Sequence, residues 1–112
     1  NRILCDTIGD GSPIGICGTG VMETVAELLR TRLIDTSGKL DEEYFEDGFL
    51  LAIADDGTDI VMTQKDIREF QLAKAAIRAG VETLISQYGT SYEEIETVYL
   101  AGGLVKCCSF II

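Results

Sequence analysis

Gly15-x-x-Gly18-x-Gly20 stands directly before a run of helical spacing, and those residue types could hold an anion. Backbone amides at a helix start point outward, and glycine lets a phosphate come close to them. Gly18, Thr19 and Gly20 are therefore candidate nucleotide contacts. The glycine order is reversed relative to the dinucleotide fingerprint, and no Gly-Lys-Ser/Thr follows, so neither a Rossmann nor a P-loop reading is supported. The plain alternative is a tight turn and close packing. A second pair, Gly102-Gly103, follows the apolar run Val98-Tyr99-Leu100-Ala101. No side chains cover such a turn, so adenine or ribose could rest on it; an ordinary strand-to-helix turn would look the same.

Other chemistry is harder to build. Asp41, Glu42, Glu43, Glu46 and Asp47 form one acidic run, and Asp55, Asp56 and Asp59 another. Runs of this kind are mostly solvated faces and turns. The second run lacks the later glutamate of a calcium loop. Histidine is absent, and the four cysteines (Cys5, Cys17, Cys107, Cys108) contain no Cys-x-x-Cys pair. Common zinc spacings and histidine-based catalysis are thereby removed, and no nucleophile stands with its base. No metal-ligating and no catalytic residue is assigned. Four unpaired thiols of a cytoplasmic protein are expected, with vicinal Cys107-Cys108 a weak redox or metal signal.

The elements that would position these residues can be read from apolar spacing. Residues 2–8 suit an edge strand, and Gly9-Asp10-Gly11-Ser12-Pro13 a turn. Val21, Met22, Val25, Leu28, Leu29 and Leu33 mark one face of a first helix, which Thr36-Ser37-Gly38 should end. Residues 40–47 suggest a short helical turn. Strands are expected over 49–53 and 59–62, joined as a hairpin through Asp55-Asp56-Gly57-Thr58. Thr63 and Asp66 form a capping box for a long helix that Gly89 stops. Ile67, Phe70, Ala73, Ile77, Val81, Leu84 and Ile85 line one face of it. Leu72, Ala76, Ala79 and Thr83 line a second face of small residues. A helix apolar on two sides is usually sandwiched, so leucine at Ala76 or valine at Gly80 should overpack it. On its polar side, Lys65–Glu69 and Asp66–Arg68 read as surface charge pairs. Ser91-Tyr92-Glu93-Glu94 should cap a brief helix before a strand over 98–100.

The chain has 112 residues, 46% apolar and 25% charged, which suits one globular domain or a piece of one. Its net charge of −10 supplies no basic stripe, so nucleic acid is not an expected partner. No apolar run reaches the roughly 18 residues of a membrane span, and a membrane is not expected either. Asn1 in place of an initiator Met suggests an excised segment. Residues 104–112 form an atypical, apolar tail for which a frameshift is one expected source.

Taken together, four stretches resemble one family. They are Gly15-Ile16-Cys17-Gly18-Thr19-Gly20, Thr63-Gln64-Lys65-Asp66-Ile67-Arg68-Glu69, Gln71-Leu72-Ala73-Lys74-Ala75-Ala76-Ile77 and Val98-Tyr99-Leu100-Ala101-Gly102-Gly103. The combination is similar to the C-terminal part of the ASKHA-type, actin-like ATPase domain in reductive activators of corrinoid proteins. The resemblance covers residues 7–103. It implies an α/β fold: the second half of an actin-like, ribonuclease-H-like subdomain, with a small mixed sheet covered by two main helices. It implies a parent protein that couples ATP and Mg²⁺ to reduction of a Co(II) corrinoid protein. The parent's iron–sulfur cluster would lie in a separate N-terminal domain, and its setting would be an anaerobic cytoplasm. Gly102 and Gly103 would form the adenosine-side motif, Gly18 to Gly20 would start the first helix, and the helix from Gln64 would connect subdomains. The Asp-Gly-Thr phosphate loop of the first subdomain and the second phosphate loop are not in this sequence, Asp56-Gly57-Thr58 being the expected hairpin turn, and Leu104-Val105-Lys106 stands where the family continues with Phe-Gly. The chain alone should therefore not hydrolyse ATP. The other expectation, of a different class, is a non-catalytic interaction module or homodimer formed through an uncovered sheet or helix face.

Overall fold

The computed structural model describes residues 4–7 and 9–102. The expected tail, the Cys107-Cys108 pair and Gly103 lie outside the described residues. Helix α1 (Gly18–Arg30) leads to an irregular loop and a single 3-10 turn, Glu42–Tyr44. Strands β1 (Phe49–Ile53) and β2 (Asp59–Met62) follow, then the long helix α2 (Gln64–Tyr88) and a last 3-10 turn, Tyr92–Glu94.

Helix α1 starts at Cys17, whose sulfur accepts from the Gly20 amide. It ends at Arg30, earlier than the expected stop at Thr36-Ser37-Gly38. The reason is a Schellman closure. Arg32 turns left-handed at φ 63°, its amide donates to the Leu29 carbonyl, and the Leu33 amide donates to the Leu28 carbonyl. Leu33 still packs on the core, as the apolar residue just past such a cap commonly does. That contact is what gave it helical spacing in the sequence.

The hairpin has the expected strands. They pair antiparallel, with a bulge between Leu50 and Ala52 that leaves Leu51 as the extra residue. The sheet is thus a two-stranded antiparallel ribbon rather than a mixed one. Its turn closes through the Ala54 amide on the Thr58 carbonyl at 2.9 Å, and the Asp56 carboxylate accepts from the Thr58 amide at 2.9 Å. Gly57 supplies the positive φ of 84°.

Leu28, Ile34, Leu40, Met62 and Ile67 are buried, and Ile16, Val21, Val25, Leu33, Tyr44, Phe49 and Leu51 pack around them. The core therefore sits between α1, the hairpin and the first turn of α2. Tyr44 and Phe49 meet edge to face, with ring centroids 5.1 Å apart, which seats the 3-10 turn on β1.

Helix α2 is capped as read: the Thr63 side chain accepts from the Asp66 amide, and the Asp66 carboxylate accepts from the Thr63 amide at 2.8 Å. Gly89 closes it at φ 75°. Only the first turns reach the core. From residue 72 to 84 every position of α2 is exposed, so the two apolar faces read from the sequence are uncovered over that stretch, although Ile67 at the start of the first face is buried. Ala76 is exposed, and a Cβ on Gly80 would meet nothing within 4 Å. The overpacking expected at both positions has no neighbour here.

Two expected strands do not form among the described residues. Residues 4–7 and 96–101 carry no strand, and the first of these segments meets β1 only through the Cys5 thiol, which donates to the Leu51 carbonyl at 3.5 Å. Apolar composition alone cannot make a strand without a partner edge to satisfy its backbone.

Candidate functional site

The glycine-rich segment is placed by hydrogen bonds at the head of α1. The Cys17 carbonyl accepts from the Val21 amide at 3.0 Å, and the Cys17 sulfur takes the Gly20 amide at 3.3 Å. Thr19 is buried. The Gly20 amide holds the Cys17 thiol below its ordinary pKa, the Thr19 hydroxyl adds to this, and partial desolvation opposes it. A Cβ at Gly20 would stand 3.1 Å from Ile16 Cγ2, so Ile16 would have to shift by a few tenths of an ångström to admit one. So the Gly20 amide already has a partner, and Thr19 faces inward.

Beside this segment lies a shallow depression of about 400 Å³. Ile14, Gly15, Ile16 and Val21 form one wall, and Thr58 to Met62 with Asp66 the other. The lining includes the carboxylates of Asp59 and Asp66 and no basic side chain.

Gly102, at φ 125°, adopts a conformation that side chains disfavour, and none of the described residues comes within 4 Å of where its Cβ would stand. It lies in an exposed segment. Among the described residues no hydrogen bond joins residues 96–102 to the head of α1. Among the described residues no three acidic or thiol side chains converge as a metal site. Cys5 and Cys17 carry free, exposed thiols.

One arrangement was not read from the sequence. Three α2 side chains, Gln64, Arg68 and Gln71, clasp the loop after α1. Gln64 Oε1 accepts from the Leu40 amide at 2.7 Å, and its Nε2 donates to the Gly38 carbonyl at 2.8 Å. Arg68 and Gln71 both donate to the Ser37 carbonyl, at 3.1 and 2.8 Å. Arg68 also donates to Gln71 Oε1 at 2.8 Å. Arg68 therefore does not pair with Asp66 as expected, whereas Lys65 and Glu69 do form an exposed pair at 3.9 Å. The loop is tightened from within by Asp35, whose Oδ1 accepts from the Ser37 amide, the Ser37 hydroxyl and the Lys39 amide. The Ser37 hydroxyl and the Lys39 amide hold the Asp35 carboxyl below its usual range. The signal for this clasp was a polar stripe at helical spacing, Gln64, Arg68 and Gln71, on one side of a helix that is otherwise mixed.

An α/β unit with two helices against a hairpin, a glycine-rich helix start and a long capped helix is the class defined by fold and site together. Among solved structures it matches a reductive activator for a corrinoid, iron-sulfur protein. The TM-score is 0.76 and the identity 39%, over 88% of this chain and 18% of that one. The chain belongs to the family described as the C-terminal domain of RACo, the ASKHA domain, which it matches over residues 1–109. The corrinoid activation enzyme RamQ of Eubacterium limosum is 34% identical over 90% of this chain. The [Co(II) methylated amine-specific corrinoid protein] reductase of Methanosarcina barkeri is 38% identical over 80% of it. The chain spans 20% and 15% of those relatives' own lengths.

Proposed function

We propose that this chain is part of the ATPase domain of a reductive activator of corrinoid proteins, and that it supplies the adenosine side of the nucleotide site without being competent alone. The observation that carries this is the family match over residues 1–109, together with relatives whose names state action on corrinoid proteins. In this reading the parent protein binds ATP with Mg²⁺ and passes one electron to Co(II) of the corrinoid partner. The electron comes from an iron–sulfur centre elsewhere in its length, in the cytoplasm. Gly102 and Gly103 lie against adenosine, and Gly18, Thr19 and Gly20 set the start of α1 within the same domain. What supports the glycine assignment at Gly102 is its φ of 125°, a conformation that favours glycine.

The test is a full-length activator from Eubacterium limosum carrying this chain in place of its own matching segment. MgATP is titrated into that chimera and into its Gly102→Val form. The reading expects the valine form to bind MgATP at least tenfold more weakly; equal affinity would remove Gly102 from the nucleotide site. The second reading, a self-associating module, has the exposed apolar faces of α2 in its favour. A concentration-dependent dimer of the isolated chain would support it.

A further inference from the structure

Past α2 the chain turns back on the helix it has just left. The amides of Gly89 and Thr90 both return to the Ile85 carbonyl, at 3.0 and 3.2 Å. Residues 90–95 then form one tied unit. The Glu94 carboxylate accepts from the Thr90 hydroxyl at 2.7 Å and from the Ser91 amide at 3.0 Å. The Ile95 amide donates to the Tyr92 carbonyl at 3.2 Å. A ring seats this unit on α2: the Arg78 guanidinium carbon stands 5.0 Å from the centroid of Tyr92. Arg78 is held in turn by Glu82, whose Oε1 accepts from Nε at 2.8 Å and meets Nη2 at 2.6 Å. Arg78, and after it the Tyr92 hydroxyl, hold the Glu82 carboxyl below its usual range. Among the described residues no backbone hydrogen bond holds 96–102. The seat of Tyr92 is therefore the last tie to α2 before Gly102.

We infer that Arg78 and Tyr92 are positioning residues: their stacked pair sets the course on which the chain runs from the end of α2 to Gly102. This rests on the proposed function in one respect, that Gly102 lies against adenosine. The ion pair with Glu82 does not itself carry the effect. Its side chains are 67% and 49% exposed, and an exposed pair of this kind contributes little. Its use is to fix the guanidinium plane over the ring, a geometry that arginine supports and lysine does not. Nor does burial hold the ring, since Tyr92 is 42% exposed. What remains is the stack between a charged plane and an aromatic face. Without it the tied unit can swing about Gly89, and the segment beyond starts out in several directions. Only a fraction of molecules then presents Gly102 where the nucleotide needs it. Apparent affinity falls by that fraction.

MgATP titrated into the full-length chimera tests this, with Tyr92→Leu, Arg78→Met, their double form and Tyr92→Phe beside it. The leucine and methionine forms should bind MgATP about two- to fivefold more weakly, the factor an exposed cation–π contact carries. The double form should lose no more than either single one, as partners in one contact do. Tyr92→Phe keeps the ring and should match the unsubstituted chimera. Reduction of the corrinoid partner at saturating MgATP should be unchanged, because ligand then draws the population back. Where Gly102→Val does weaken binding, unchanged affinity in the leucine and methionine forms would overturn the inference. Additive losses in the double form, or a phenylalanine form as weak as the leucine form, would overturn it too. Deuterium uptake over residues 90–102 of the nucleotide-free chimera is the second measurement. Faster uptake in the leucine and methionine forms, and not in the phenylalanine form, is expected; equal uptake in all would overturn the inference. Uptake that follows the stack, with MgATP affinity untouched even by Gly102→Val, would keep the stack's role and sink the functional reading.

Discussion

Arg32 occupies a left-handed conformation, φ 63°, at the position where helices most often place glycine. Its side chain is exposed, so only the backbone matters. Arg32→Gly is expected to stabilise the chain by about 0.5–1 kcal/mol, relief of strain offset in part by a freer unfolded chain; chemical denaturation measures it. Asp35 gives a pH prediction. Its folded carboxyl lies below the ordinary range through the Ser37 hydroxyl and the Lys39 amide. A lowered acid contributes stability above its unfolded pKa and loses it as pH falls through the folded one. The window therefore opens near about pH 4 and extends downward. Glu27, Asp56, Glu82 and Glu94 are lowered too, so a difference is needed. The melting temperatures of wild type and Asp35→Asn should converge as pH drops below about 4, and a constant gap would contradict the assignment.

At the scale of elements, the two ends of α2 and the hairpin were legible because local chemistry decides them. Thr63, Asp66 and Gly89 act on their own neighbours, and Asp56-Gly57 dictates its turn. Thr63→Ala should cost about 1 kcal/mol through loss of the cap, read as a lower thermal midpoint. The end of α1 was not legible, because Leu33 keeps helical spacing while serving the residue beyond the cap. The expected strand over 98–100 failed for another reason: pairing depends on an edge that sequence composition does not supply. The clasp on the loop after α1 is an element-scale device as well. Gly38 stands at φ 81°, and a Cβ there would run into the Gln71 side chain. Gly38→Ala is expected to cost about 1–2 kcal/mol in backbone strain alone, with faster amide exchange at Leu40, which Gln64 holds. Unchanged exchange there would mean the clasp does not depend on the loop's shape.

At the scale of the molecule, family and α/β class were legible because several motifs kept their order and spacing. The candidate site was legible only as residue types. Gly18, Thr19 and Gly20 form a helix start whose Gly20 amide is already taken by Cys17, and Gly102 has no neighbour among the described residues where its Cβ would stand. In the proposed reading, a nucleotide site therefore draws on parts beyond these residues. For that reason the isolated chain is expected to show no MgATP hydrolysis, checked by phosphate release; turnover by the pure chain would show that its own residues suffice.

The most direct measurement is the absorbance of a Co(II) corrinoid protein mixed with the full-length chimera and a low-potential chemical reductant, with and without MgATP. The account predicts conversion to Co(I) only when both the chimera and MgATP are present, and none with the isolated chain. A folded chimera that leaves the Co(II) spectrum unchanged with MgATP, while the unmodified relative converts it, would contradict the account.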